Sequence, residues 1–342
     1  MKKGWRTGLV VALIGSIVVA MNSGRYAVSP AGVLSILAHG VGLGGLVSPP
    51  TPEMEMVFWN IRVPRILVAF TVGSALSVSG AVLQALFRNP LASPDIVGVT
   101  QGAGFGAALA LMFFPPLSAV VQGSAFLFGI LAVSIAYLLA SRSPDRSVAV
   151  LVITGIVVSA VFQAGLSLLQ YFADPYDQLA KIVFWIMGSF QTASWGNVRT
   201  VVPLVAAGTL LLVVFGWRLN VMAQDDEQAL SLGINVPAWR LLYVFLATLI
   251  VASSVSATGN ISWVGLIVPH IGRYLVGSEH RRLVATSALI GGIFLVLMDT
   301  AARSLMPGEI PISIVTSMVG APFLASLVLS RGGVLKREHT SG

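Results

Sequence analysis

Residues 64–87, Pro64 to Phe87, read PRILVAFTVGSALSVSGAVLQALF. Apart from Arg65 at its start the run carries no charge. A helix that crosses a bilayer needs about 20 apolar residues, and this stretch supplies them. Its small residues, Gly73, Ser74, Ala75, Ser77, Ser79, Gly80 and Ala81, let neighbouring helix backbones come close, which is how helices associate in lipid. The segment therefore reads as an interior span of a helix bundle, and its fold class follows if the chain repeats the pattern.

It does. Of 342 residues, 56% are hydrophobic and only 10% are charged, where a soluble domain carries about 25%. Mean hydropathy is +0.89. So few charges cannot coat a water-soluble protein of this size. Apolar runs between loop signals fall at Gly8–Met21, Pro64–Phe87, Thr100–Phe114, Val120–Ala140, Val148–Tyr171, Trp195–Phe215, Val236–Ala257, Ser262–Leu275, Leu283–Ala301 and Ile312–Leu329. The expectation is an all-α, polytopic membrane protein of about ten spans, with residues 1–342 forming a single transmembrane domain. The third and eighth runs are short, which is tolerated where protein or a water-filled cavity surrounds them. The first opens on Lys2-Lys3 like a signal peptide, but the residues near Ala20 give no small-x-small cleavage site, so it is read as a retained span.

The net charge of +7 is scattered through short loops, so it reads as topogenic and not as a nucleic-acid footprint. With the N-terminus in the cytoplasm, Arg6, Arg88, Arg142, Arg218, Arg240, Arg273, Arg281 and Arg282 fall inside, with Lys2, Lys3, Arg146, Arg331, Lys336 and Arg337. Arg25, Arg62, Arg65, Lys181, Arg199 and Arg303 fall outside. Both termini are then cytoplasmic, in a multi-pass inner-membrane protein. Two outer segments read as short helices: Ser29–Gly40, opened by Ser-Pro, and Asp174–Gly188, opened by Pro175.

Cysteine is absent, which excludes disulfides, thiolate metal sites and a catalytic thiol. No phosphate-binding loop, paired-histidine ligand set or Gly-x-Ser-x-Gly elbow occurs. An enzyme reading, a resident metal and a cofactor bound by this chain are all without support. Asp299 is the notable carboxylate within a span, and Arg303 at i+4 can pair with it. As an ion site, Asp299 would suit a carrier driven by an ion gradient, which stands as an alternative.

Several strings are more specific. Arg62-Val63-Pro64-Arg65 opens the second span; Ser79-Gly80-Ala81-Val82-Leu83-Gln84 leads to Arg88-Asn89-Pro90-Leu91-Ala92-Ser93-Pro94. Later come Ala229-Leu230-Ser231-Leu232-Gly233 and Val264-Gly265-Leu266-Ile267-Val268-Pro269-His270-Ile271-Gly272-Arg273. Met298-Asp299-Thr300-Ala301-Ala302-Arg303, Glu309-Ile310-Pro311 and Gly320-Ala321-Pro322-Phe323 complete the series. Together, in this order from Arg62 to Phe323, they resemble the permease subunits of ABC importers for iron–siderophore, haem and vitamin B12.

That resemblance implies ten helices per permease and a homodimer with the translocation path between copies. It also implies two ATP-binding subunits inside, which carry ATP and Mg, and a substrate-binding protein outside. By the same resemblance Arg62, Arg65 and Arg303 are docking arginines for the binding protein, and the fifth span lines the path, with Ser159, Gln163 and Ser167 as its polar residues. Asp225–Asn235 holds the place of the loop that couples to the ATPase. There Asp225, Asp226 and Glu227 can cap a helix, Ala229, Leu230 and Leu232 offer an apolar knob, and Gly233 stops the helix. Gln84, Asn89, Pro90, Pro269, His270 and Asp299 are read as structural, with Asn89 placed to satisfy backbone carbonyls. The cargo implied is a ferric siderophore first, then haem or vitamin B12. The stretch from Asp174-Pro175-Tyr176-Asp177 to Gly188-Ser189 looks like the branch that carries molybdate- or tungstate-like oxyanions.

Overall fold

A computed structural model of the protein describes residues 4–24, 26, 28–114, 118–144 and 147–338. Lys2, Lys3, Arg25 and Arg146 of the topogenic set lie outside the described residues, as do the side chains of Arg331, Lys336 and Arg337. No strand occurs among the described residues. The helices are α1 (Trp5–Asn22), α2 (Pro30–Gly40), α3 (Pro52–Met56), α4 (Val63–Leu86), α5 (Val99–Phe113), α6 (Ser118–Arg142), α7 (Val148–Phe172), α8 (Gln178–Met187), α9 (Trp195–Met222), α10 (Asp226–Ser231), α11 (Val236–Thr258), α12 (Val264–Val276), α13 (His280–Ser304) and α14 (Ile312–Glu338). Seven described helices are long and apolar enough to cross a membrane; α5, α12 and the Ile312–Leu327 part of α14 are shorter apolar segments. Together they account for each run read from the sequence.

The centre of the bundle is α4. It packs against α13, α9, α11 and α12, and almost every residue from Ile66 to Leu86 is buried. Its small residues explain how. A methyl placed on Gly73 would sit 2.1 Å from the carbonyl oxygen of Gly291 in α13. On Gly80 it would sit 1.9 Å from that of Gly265 in α12. Backbone meets backbone at both points, which only glycine permits.

The short helices are sheltered as expected. α5 packs into α6, α7 and α11, and its Gly102, Gly106 and alanines are buried. The first turn of α12 lies against the middle of α4, with Gly265 beside the carbonyl of Leu76 and the ring of Pro94. Their free N-terminal amides thus meet protein and not lipid.

Three differences from the sequence reading have physical causes. The second span begins earlier: α3 runs through a wide turn at Val57–Arg62 directly into α4, a continuous helical stretch from Pro52 to Leu86. α9 continues past Phe215 to Met222 because Arg218, polar in sequence, stacks 4.4 Å from the centroid of the Trp239 ring. α8 begins at Gln178 and not at Pro175, since the Asp174 side chain accepts from the Tyr176 amide at 2.7 Å and closes a turn first.

Candidate functional site

Two clusters of charged side chains mark opposite ends of the bundle. The first gathers Arg62 and Arg65 from the start of α4, Asp299 and Arg303 from the end of α13, and Glu309 from the loop before α14. Arg65 donates Nε to Asp299 Oδ2 at 3.0 Å and Nη2 to Oδ1 at 2.8 Å. Its two terminal nitrogens also reach Glu309, at 3.0 and 2.9 Å. Arg303 donates Nη1 to the carbonyl of Ser23 at 2.7 Å and Nη2 to that of Ala20. Arg62 donates to the carbonyl of Tyr26. These two guanidinia flank Gly24; Arg303 satisfies carbonyls that the end of α1 leaves open, and Arg62 one in the loop that follows.

The geometry adds two facts to the sequence reading, in which Asp299 pairs with Arg303 as expected. None of the three arginines stands out as a free rim charge: Arg62 is 3%, Arg65 8% and Arg303 8% exposed. A guanidinium so desolvated must be hydrogen-bonded, and the nearest acceptors belong to this chain. Asp299 takes Arg65 as its main partner, while the i+4 pair with Arg303 is looser at 3.7 Å. The carboxylate that sequence reading passed over is Glu309. Its string was visible, but nothing local places it on a residue 244 positions away.

The opposite end carries α10. Asp226 bridges Arg88 at 2.6 Å and Arg240 at 2.6 Å, fixing the start of α10 to the ends of α4 and α11. Arg88 also donates to the carbonyl of Met222 at 3.2 Å. These bonds hold Arg88 in the left-handed region, φ 50°, a conformation that costs about 1–3 kcal/mol and persists only when surroundings impose it. Asp226 therefore serves as an ion-pair anchor, while Asp225 occupies the cap position without a side-chain cap bond and lies 4.0 Å from Arg88. Ala229 is fully buried and belongs to the floor, not the knob. Leu230 and Leu232 project, 57% and 67% exposed. Gly233 at φ 76° ends the helix, its amide donating to Leu230.

Between the ends, the residues read as structural form one splice. Pro269 has no N–H for the carbonyl of Gly265 one turn back. Gln84 fills the gap, donating Nε2 to Gly265 at 3.2 Å and to Leu266 at 3.3 Å. Arg273 donates to Gln84 Oε1, and His270 Nε2 lies 3.0 Å from the carbonyl of Pro90. Asn89 does not serve carbonyls: its Oδ1 accepts from the Leu91 amide at 2.9 Å, tightening the turn.

Ser159, Gln163 and Ser167 lie along α7, whose surface is largely open within one chain. Ser159 donates to the Gly155 carbonyl at 2.7 Å, while Gln163 and Ser167 are exposed among Ile156, Val157 and Leu168. Beyond them, at the Arg65 end, α8 borders a recess lined by Lys181, Phe184, Ser189, Gln191, Thr192 and Thr258. Lys181 is paired there with Asp177 at 2.5 Å. No group of acidic or histidine side chains able to hold a metal occurs among the described residues.

Comparison with known proteins accords with this architecture. The molybdate import permease MolB of Haemophilus influenzae is 40% identical over 331 residues, 96% of each chain. The hemin transport permease HmuU of Yersinia pestis is 35% identical over 294 residues, 84% of this chain and 86% of that one. A metal-chelate type ABC transporter solved in an inward-facing conformation superposes with a TM-score of 0.85 at 37% identity, covering 95% of this chain and 98% of that one. The match to the FecCD transport family runs over residues 11–330, and the chain belongs to that family: it is a multi-pass membrane permease of an ABC importer.

Proposed function

We propose that this permease works as a homodimer, with two ATP-binding subunits against α10 and a binding protein at the Arg65 end. It then carries no catalytic residue of its own. Support for the coupling role comes from α10: two exposed leucines on a short helix whose base is pinned by ion pairs. A projecting apolar knob on a rigid base can transmit a push, where a mobile loop would absorb it. On this reading the α10 end is cytoplasmic and both termini lie there.

The docking role of Arg62, Arg65 and Arg303 takes a modified form. A carboxylate of the binding protein would not meet free arginines. It would exchange with Glu309, whose side chain is 21% exposed, on the outer edge of Arg65. Asp299, with a side chain 4% exposed, stays as the inner anchor. The path runs between the copies along α7, past Ser159, Gln163 and Ser167, and opens at the recess beside α8.

For cargo, a molybdate-type oxyanion is placed first. The observation that carries it is the MolB relative, at 40% identity over 96% of both chains. A metal chelate, such as a ferric siderophore, haem or vitamin B12, is the second reading, favoured by the HmuU relative and the metal-chelate type structure. The test is uptake by the purified permease, reconstituted with its co-purifying ATPase and binding protein, of labelled molybdate against labelled ferric siderophore. ATP-dependent molybdate uptake alone supports the first reading, and siderophore or haem uptake alone replaces it with the second. Transport without any ATPase would overturn the importer assignment.

A further inference from the structure

A second site, unrelated to the path, lies at the α10 end on the outer wall of the bundle. α1 and α9 both pack on α13. Where α1 and α13 begin and α9 ends, they leave a recess of about 480 Å³. Arg6, Arg281 and Arg282 line it together with Trp5, Trp217, Val213 and Ala285.

The charge is unbalanced. Three guanidinia face one carboxylate, Glu279, and that carboxylate is already engaged. It accepts from the amides of Arg281 and Arg282 at 3.0 Å each and from Asn220 Nδ2 at 3.1 Å, and it lies 3.5 Å from Arg282 Nε. Burial works to raise its pKa, but the bonds from Asn220 and the two amides, with the Arg282 charge, leave it below the ordinary value. Arg6, 5.4 Å from the Trp5 ring centroid, and Arg281 form no ion pair among the described residues.

Beyond the basic residues the helices turn apolar. Val10 and Ile14 follow Arg6 at four-residue intervals, so they continue the same face of α1. Leu210 and Val214 precede Trp217 by seven and three residues, on one face of α9. All four are more than half exposed within the chain. A cationic recess lined by Trp5 and Trp217 is thus continued along α1 and α9 by exposed apolar side chains. A soluble anion would use the recess alone, and a soluble protein could not reach its apolar continuation. Tryptophan at headgroup level and basic recesses between helices suit an anionic lipid.

We propose that this site binds one anionic phospholipid. Its phosphodiester lies among Arg6, Arg281 and Arg282, and an acyl chain lies between α1 and α9 on α13. The inference needs only that the chain spans a membrane, and it stands whichever cargo is carried.

The test is native mass spectrometry of the purified transporter with phosphatidylglycerol or phosphatidylcholine of matched chains. Quenching of tryptophan fluorescence by brominated forms of each lipid is read in parallel. Phosphatidylglycerol is expected to be retained in preference, and Arg6→Gln with Arg281→Gln should weaken that retention by roughly thirtyfold. Ala285→Leu, which adds bulk to the lining without touching the charge, should reduce quenching by brominated phosphatidylglycerol. Equal retention of the two lipids overturns the proposal, as does a preference that survives the double arginine variant. If inorganic phosphate alone displaces the lipid and gives the same thermal stabilisation, the site belongs to a soluble anion and the lipid assignment fails. Should the double variant not fold, the Ala285→Leu quenching result decides.

Discussion

Arg65 and Asp299, 234 residues apart in the chain, join α4 to α13 through a forked ion pair with contacts of 2.8 and 3.0 Å. The planar guanidinium matches the carboxylate on one edge and Glu309 on another. Both oxygens of Asp299 are thereby occupied, which removes it as a free ion site for a gradient-driven carrier. Membership of an ABC permease family sets that alternative aside on independent grounds.

Asp299→Asn leaves Arg65 buried with one carboxylate instead of two. Breaking a buried pair from one side costs about 3–5 kcal/mol. Thermal unfolding of the detergent-solubilised protein should show a large drop. Arg65→Met combined with Asp299→Leu should lose less than Asp299→Asn, because the most buried guanidinium is removed with its carboxylate, while Arg303 keeps its backbone carbonyls and Glu309 sits at the partly exposed edge. Equal losses in the two variants would mean the pair is not what holds α4 to α13.

Glu309→Gln tests the exchange at the docking end. Removing the outer carboxylate frees one edge of Arg65 for the binding protein. Affinity should rise by about 1 kcal/mol, the scale of a partly exposed pair, mostly through faster and more salt-sensitive association. Arg62→Glu should lower it. Biolayer interferometry on nanodisc-held transporter at two salt concentrations reads both. Weaker docking by Glu309→Gln would show that Glu309 itself faces the partner.

Leu232→Asp places a charge on the projecting knob while leaving Ala229 and the Asp226 bridges in place. The expected outcome is a stable, membrane-inserted permease whose ATPase still turns over but whose uptake is lost. Uptake and phosphate release measured on the same proteoliposomes separate the two. Normal uptake would exclude α10 as the coupling contact.

Gly80→Ala drives a methyl to within 1.9 Å of the Gly265 oxygen. Neither backbone can yield easily, so overpacking should cost about 1–3 kcal/mol or more. Gly123→Ala, where a methyl meets nothing within 4 Å, should be neutral or gain up to about 1 kcal/mol in helix propensity. The comparison of the two melting temperatures isolates close packing from propensity.

The spans were legible because each is set by its own composition: a long uncharged run must be helical in lipid, whatever its neighbours. The short helices α2, α8 and α10 were legible for a related reason, since their apolar spacing, and for α2 the Ser29-Pro30 start, lie within one segment. The burial of the arginines was not legible. Arg62, Arg65 and Arg303 look like rim charges in a linear reading because their acceptors, Tyr26, Glu309 and Ala20, belong to distant segments. Asp226 looked like a cap for the same reason: Arg88 and Arg240 reach it only once α4 and α11 are packed.

By itself, then, the sequence determined an all-helical membrane bundle, the place of each span, and the strings that tie it to ABC permeases. Those are consequences of local hydrophobicity and of motif order. Only the tertiary structure decided which side chains spend their charge inside the chain, which ones project, and where three guanidinia and two indoles line one recess. A charge is stabilised by whatever lies within a few ångströms of it, and in a helix bundle that neighbour is fixed by packing, not by position along the chain.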